Sequence, residues 1–279
     1  MRIGAIGLVL ISVFLFTAAN VFVKTIDYLP TSQIVFMRSL ISLILCASFV
    51  VRKGYPFFGN NRKWLFIRGF FGMIALTLFF YTVQNIPLAS ATVIQYLSPV
   101  FTMLLAIFFL RERVRPIQWL FLSMAIAGVL MVKGFDTRIS LGFLGIGVLS
   151  SFFAAISYFA TIKCKETDHP VAIVMWFHLL ATPIMGTYSA IDWVPMSSLE
   201  WTFGILIGIL SVIAQVALSF ALHRADVSVV TPFKYIGAIL ALFIGTFWFN
   251  EEMSLFSILG IVFVIAGVTL NVISRRFHW

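Results

Sequence analysis

The sequence predicts an all-α integral membrane protein: ten transmembrane helices arranged as two inverted five-helix repeats, with both termini in the cytoplasm. Three observations predict it. Hydrophobic residues make up 61% of the chain and charged residues only 10%, against about half and a quarter in soluble domains. Ile126-Ala127-Gly128-Val129 recurs as Ile265-Ala266-Gly267-Val268, a shift of half the chain. The same shift pairs Leu10 with Leu149, Ser12 with Ser151, Phe14 with Phe153, Lys24 with Lys163 and Glu112 with Glu251. Finally, Lys and Arg fall asymmetrically between alternate loops, as membrane topology requires.

The apolar runs place spans at 3–23, 31–51, 64–83, 88–110 and 116–134 in the first repeat, residues 1–138. The second repeat, 139–279, holds spans at 141–161, 171–191, 201–222, 227–249 and 255–274. Most have about 20 residues, enough to cross ~30 Å of hydrocarbon at ~1.5 Å per residue. Lipid offers no partner to free backbone groups, so these runs must be helical. The first run follows only Met1-Arg2 and is long for a signal-peptide core, so it reads as a retained span. Five crossings per repeat force the second copy upside down. Such inverted repeats are common in secondary transporters, because related halves can expose one site to either side.

With the N-terminus inside, the cytoplasmic loops hold Arg2, Arg52, Lys53, Arg62, Lys63, Arg111, Arg113, Arg115, Lys163, Lys165, Arg224, Arg275 and Arg276. Only Lys24, Lys133 and Arg138 fall outside, and Arg38, Arg68 and Lys234 lie within spans. The net charge of +9 is therefore a topology signal and not a nucleic-acid surface. Two cysteines, Cys46 in a span and Cys164 at a cytoplasmic helix end, give no expectation of a disulfide or a metal site.

Polar residues in spans are expensive and should face the bundle interior or a wet cavity. Helix 1 carries Thr17, Asn20 and Lys24; helix 3 carries Thr77, Tyr81 and Gln84. Helix 4 carries Thr92, Gln95, Ser98 and Thr102, with Pro99 in mid-span. Ser151, Tyr158 and Thr161 mark helix 6; Ser211, Gln215 and Ser219 mark helix 8; Thr231 and Lys234 mark helix 9. These six helices are expected to surround an aqueous path, with helices 2 and 7 alongside and helices 5 and 10 peripheral. The competing reading of each Ser or Thr is an ordinary interhelical hydrogen bond, worth well under ~1 kcal/mol on average.

Lys234 is the sharpest candidate. It sits about seven residues, or ~10 Å, into its span, beside Pro232, whose missing donor opens the helix around Thr231 and Tyr235. Arg38 offers a planar fork suited to carboxylate or phosphate. Arg68 lies four residues into its span and reads as snorkelling. His178 has an unperturbed pKa of ~6.5 and is a candidate proton carrier, or a core histidine. Tyr81, Tyr96, Tyr158 and Tyr235 suit packing against an organic solute. No Asp or Glu falls mid-span, which favours facilitated diffusion or exchange over a carboxylate proton relay.

The segments Pro87–Thr92, Ser98–Phe101 and Leu110–Arg113, with Ala225–Ser228, Pro232–Tyr235 and Asn250–Glu252, resemble the EamA-type ten-helix carriers of the drug/metabolite transporter superfamily. The resemblance covers the full length and implies cytoplasmic termini, a central cavity between repeats and alternating access. It implies a secondary active or facilitative transporter of a small polar organic metabolite, anionic or zwitterionic: an amino acid, a nucleotide-like metabolite or a carboxylate. The rival readings are an exporter of drug-like or cationic solutes, and an integral membrane enzyme. The enzyme reading finds no nucleophile–base pair or metal cluster. The expected substrate-binding set is Lys234, Tyr235, Thr231, Gln95, Tyr96, Ser98, Asn20, Arg38, Tyr81, Tyr158 and Gln215, with no cofactor or metal. The expected setting is a bacterial inner membrane, as a monomer or homodimer, with a small-molecule substrate and lipid as partners and no nucleic acid.

Overall fold

The structure, a computed structural model, describes residues 2–110, 116–134, 136, 138–225, 230 and 233–274. Its helices are α1 (Arg2–Thr25), α2 (Thr31–Arg52), α3 (Arg62–Asn85), α4 (Leu88–Gln95), α5 (Ser98–Leu110) and α6 (Pro116–Gly134). There follow α7 (Leu141–Cys164), α8 (Pro170–Ile191), α9 (Ser198–Arg224), α10 (Ile236–Trp248) and α11 (Leu255–Ser274). Among the described residues, eight segments are long and apolar enough to cross a membrane, and two shorter apolar helices, Ile236–Trp248 and Leu255–Asn271, accompany them.

Local chemistry sets the ends. Pro30 and Pro87 stand at the N-caps of α2 and α4, and Pro170 opens α8, positions where a missing N–H costs nothing. Ser197 and Glu200 form a reciprocal capping box on α9. Ser140 accepts from the Phe143 N–H at the start of α7.

The span expected as one helix over 88–110 is two. Pro99 has no N–H to return to the Gln95 carbonyl. The chain tightens there: Tyr96 N–H reaches the Val93 carbonyl at 3.0 Å and Leu97 N–H the Ile94 carbonyl at 3.1 Å. Regular spacing resumes with Phe101 N–H on Leu97. Ser151 of α7 also donates to the Ile94 carbonyl at 2.6 Å, a second bond to an acceptor the tightened turn already uses, and so fastens the break to α7. The span expected over 227–249 is likewise interrupted, with a turn at Tyr235 ahead of α10.

Helices pack in pairs: α3 on α7, α1 on α9, α2 on α8, α4 on α10 and α6 on α11. In the last pair the backbones nearly touch. A Cβ on Gly128 would lie 2.6 Å from the Gly260 carbonyl oxygen, and a Cβ on Gly260 would lie 2.6 Å from that of Gly128. Small residues permit this approach in lipid, where van der Waals packing drives association. Neither α6 nor α11 lines the central cavity. Cys46 and Cys164 are free and buried.

Where α1 ends, one cluster joins distant parts of the chain. Lys24 Nζ lies 2.8 Å from Glu251 Oε1 and donates to the Ile86 carbonyl at 2.8 Å. Glu251 Oε2 accepts the Leu88 N–H at 2.9 Å, at the free N-terminus of α4. On the opposite face, Asp168 accepts the Asn60 and Asn61 N–H groups, tying the α2–α3 loop to the α7–α8 turn.

Candidate functional site

A cavity of about 280 Å³ lies between the helices, near the small end of the ~300–1,000 Å³ usual for ligand pockets. Its wall takes residues from α1, α2, α3, α4, α5, α7, α8, α9 and α10, together with Tyr96 and Lys234 at the two breaks. Helices α2 and α8, expected only alongside, contribute Arg38 and Phe177 directly.

Of the expected residues, Asn20, Arg38, Gln95, Tyr96, Ser98, Tyr158, Gln215 and Lys234 lie on this wall. Lys234 Nζ donates to Tyr158 Oη at 3.0 Å and stands 4.5 Å from the centre of that ring. Tyr96 Oη donates to the Lys234 carbonyl at 2.6 Å. Gly237 makes room for it, since a Cβ there would sit 2.5 Å from that hydroxyl. Tyr96 and Tyr235 meet edge to face at 4.9 Å, so Tyr235 supports the wall from behind while itself buried. Their numbers differ by 139, the shift that relates the two halves of the sequence. Gln95 is held by Ser150, which donates to its Oε1 at 2.8 Å.

Three expectations meet a different structure. Tyr81 is 40% exposed and packs against Phe143, away from the cavity. The α3 stripe splits because Thr77 returns its hydroxyl to the Met73 carbonyl and Gln84 donates to the Asp27 and Leu29 carbonyls. His178 is fully buried behind the wall, edge-on to Phe177 at 4.7 Å, and does not line the cavity. Thr231 and Pro232 lie outside the described residues.

Arg68 is the residue that sequence reasoning missed. Helix α3 begins at Arg62, two residues before the expected start, so Arg68 lies deeper than its assigned boundary implied. It does not snorkel: Nη1 donates to Ser157 Oγ at 2.8 Å on the cavity wall. Arg38 is 2% exposed and donates to Gln215 Oε1 at 3.3 Å. The Arg38 and Arg68 guanidiniums stand 5.4 and 5.6 Å from the centre of the same ring, Phe177, a geometry in which the ring face attracts cations. Among the described residues, no Asp or Glu lines the cavity.

A family model described as the EamA-like transporter family matches residues 3–134 and again 141–273. The chain belongs to the EamA-like transporter family. Relatives of this EamA-like chain include the Pseudopaline exporter CntI of Pseudomonas aeruginosa, 30% identical over 95% of this chain and 94% of the relative. Solute carrier family 35 member G1 of Mus musculus is 27% identical over 95% and 77% of the respective chains. An S-adenosylmethionine uptake transporter of Rickettsia conorii is 25% identical over 97% and 93%. One solved crystal structure superposes with a TM-score of 0.70 over all of both chains at 16% identity, a likeness of fold. The EamA-like chain is thus a multi-pass membrane protein of a transporter family, and its named relatives are transporters, not enzymes.

Proposed function

We propose that this chain is a secondary active or facilitative transporter of a small organic metabolite bearing an anionic group, bound in the central cavity and released by alternating access. The observation that carries the reading is the cavity wall: Arg38, Arg68 and Lys234 line it, and no described carboxylate does. A cation buried in a membrane is costly and marks a substrate path by default. Lys234 pairs with the anionic group, Gln95, Ser98 and Gln215 offer hydrogen bonds, and Tyr96 and Tyr158 pack the organic part.

In this reading the two halves, 1–138 and 139–279, are inverted five-helix repeats with cytoplasmic termini in a bacterial inner membrane. The breaks at Tyr96 and Tyr235 mark the interface of the repeats, where discontinuous helices place transporter sites. Rocking of the halves exposes the cavity to either side. His178 is assigned to packing, because its imidazole meets Phe177 and not the cavity.

The test is counterflow in proteoliposomes with labelled amino acids, nucleotides and carboxylates, comparing the wild type with Lys234→Ala. Saturable exchange of an anionic or zwitterionic solute, lost at least ~10-fold in the variant, is expected, since a hydrogen bond to a charged group carries ~1.5–3 kcal/mol. Equal exchange by both proteins would remove Lys234 from the site; exchange of cations alone would remove the anion reading.

A further inference from the structure

We infer that the transported solute is an organic dianion or higher polyanion, with one anionic group held by the Arg38–Arg68 pair across Phe177. The inference deepens the anion reading above and rests on it. Among the described residues, every hydrogen-bond partner the cavity cations have on the wall is neutral: Gln215 for Arg38, Ser157 for Arg68, Tyr158 for Lys234. These bonds orient the cations without supplying counter-charge.

Arg38 is the decisive group. Its Nε and Nη1 donors are buried without a hydrogen-bond partner among the described residues, although the side chain, 2% exposed, lines the cavity. Phe80 and Phe177 stand against its guanidinium at 5.6 and 5.4 Å. A buried guanidinium on a cavity wall with donors that no described protein group uses matches the oxygens of a carboxylate or of a phosphate. Arg68 approaches the same ring from the α3 side. A single negative charge placed at this pair leaves Lys234 uncompensated, and one placed at Lys234 leaves the guanidinium pair so. Charge matching in a low-dielectric cavity therefore favours a solute with at least two anionic groups.

Carboxylates and phosphate monoesters share this chemistry, and the probes separate them. Binding to the purified full-length protein in detergent is measured by calorimetry and by thermal shift. The probes are succinate, citrate and glycerol 3-phosphate, against butyrate, alanine and tetraethylammonium. The dianions are expected to bind at least ~10-fold more tightly than butyrate, and Arg38→Gln to lower that ratio by roughly 10-fold. Arg68→Gln is the second variant should the first not fold, with the same loss of ratio expected. A preference for succinate and citrate over glycerol 3-phosphate assigns the carboxylate source, and the reverse assigns the phosphate source. Equal affinity for butyrate or alanine would overturn the dianion while leaving the anion reading intact. Binding of tetraethylammonium alone would overturn both, and an unchanged ratio in both variants would remove the guanidinium pair from the site.

Discussion

At the residue scale, cost explains what was legible. Lys234, Arg38, Gln95 and Gln215 stand out in the sequence because each is a strong polar group in an apolar run, and each lies on the cavity wall. Arg68 carries the same chemistry but was masked by a helix start misplaced by two residues, and a shift of half a turn decides whether an arginine can reach the interface. His169 belongs to this scale too. Its Nδ1 accepts the Val171 N–H at 3.3 Å, and its ring stacks on Tyr55 at 4.3 Å. Burial, and then the neighbouring His223, lower its pKa from the ordinary 6.5. Protonation therefore costs more in the folded protein than in the unfolded chain. This contribution to stability is complete above the ordinary value of 6.5 and is lost progressively as pH falls below it and through the lowered folded value. The Tm of the wild type should drop between pH 7.5 and 5.5 by more than that of His169→Asn, which keeps a capping acceptor that does not titrate. Parallel slopes would show that the capping role is not what titrates.

At the element scale, the spans were legible from length and hydropathy, whereas their interruptions and partners were only partly so. Pro99 is visible in mid-span, but the bond from Ser151 to the Ile94 carbonyl that fastens the break to α7 spans 57 residues and leaves no local trace. The α6–α11 pairing likewise depends on which glycines face each other. Gly128 and Gly260 meet backbone to backbone, so a methyl at either has no flexible neighbour to displace. Gly128→Ala should cost about 1–3 kcal/mol as an overpacked contact, and Gly128→Leu more, read as loss of Tm in detergent. A Gly128→Leu protein melting with the wild type would mean that the two helices do not cross at this point.

At the scale of the whole molecule, the acid-centred ties on the two faces join the halves of the chain. Lys24 and Glu251 entered the sequence reading as a topology signal and a helix-end carboxylate; their ion pair lies 227 positions apart and no single sequence announces it. Both side chains are about nine-tenths buried, so removing one partner strands the other, at a cost of roughly 3–5 kcal/mol. Glu251→Leu should therefore lower Tm strongly, as should Lys24→Glu, and the exchange of charges in Lys24→Glu with Glu251→Lys should recover part of the loss. Absence of any recovery would mean that the bonds to Ile86 and Leu88, rather than the pairing of charges, hold this face. In the alternating-access reading proposed above, rocking opens one such tie at a time, and the same double exchange then also tests turnover.

The two tyrosines that meet at the helix breaks hold matching places in the halves, but the residues just before them, Gln95 and Lys234, do not match. A cavity built from two identical halves offers any solute two poses of equal energy, one the exchange of the other. A single unlike pair lifts that degeneracy. In the reading proposed above, the bound molecule then has a head and a tail with respect to the protein, and Arg38 and Arg68, which the same shift sets opposite Phe177 and Ile207, reinforce that sense of direction.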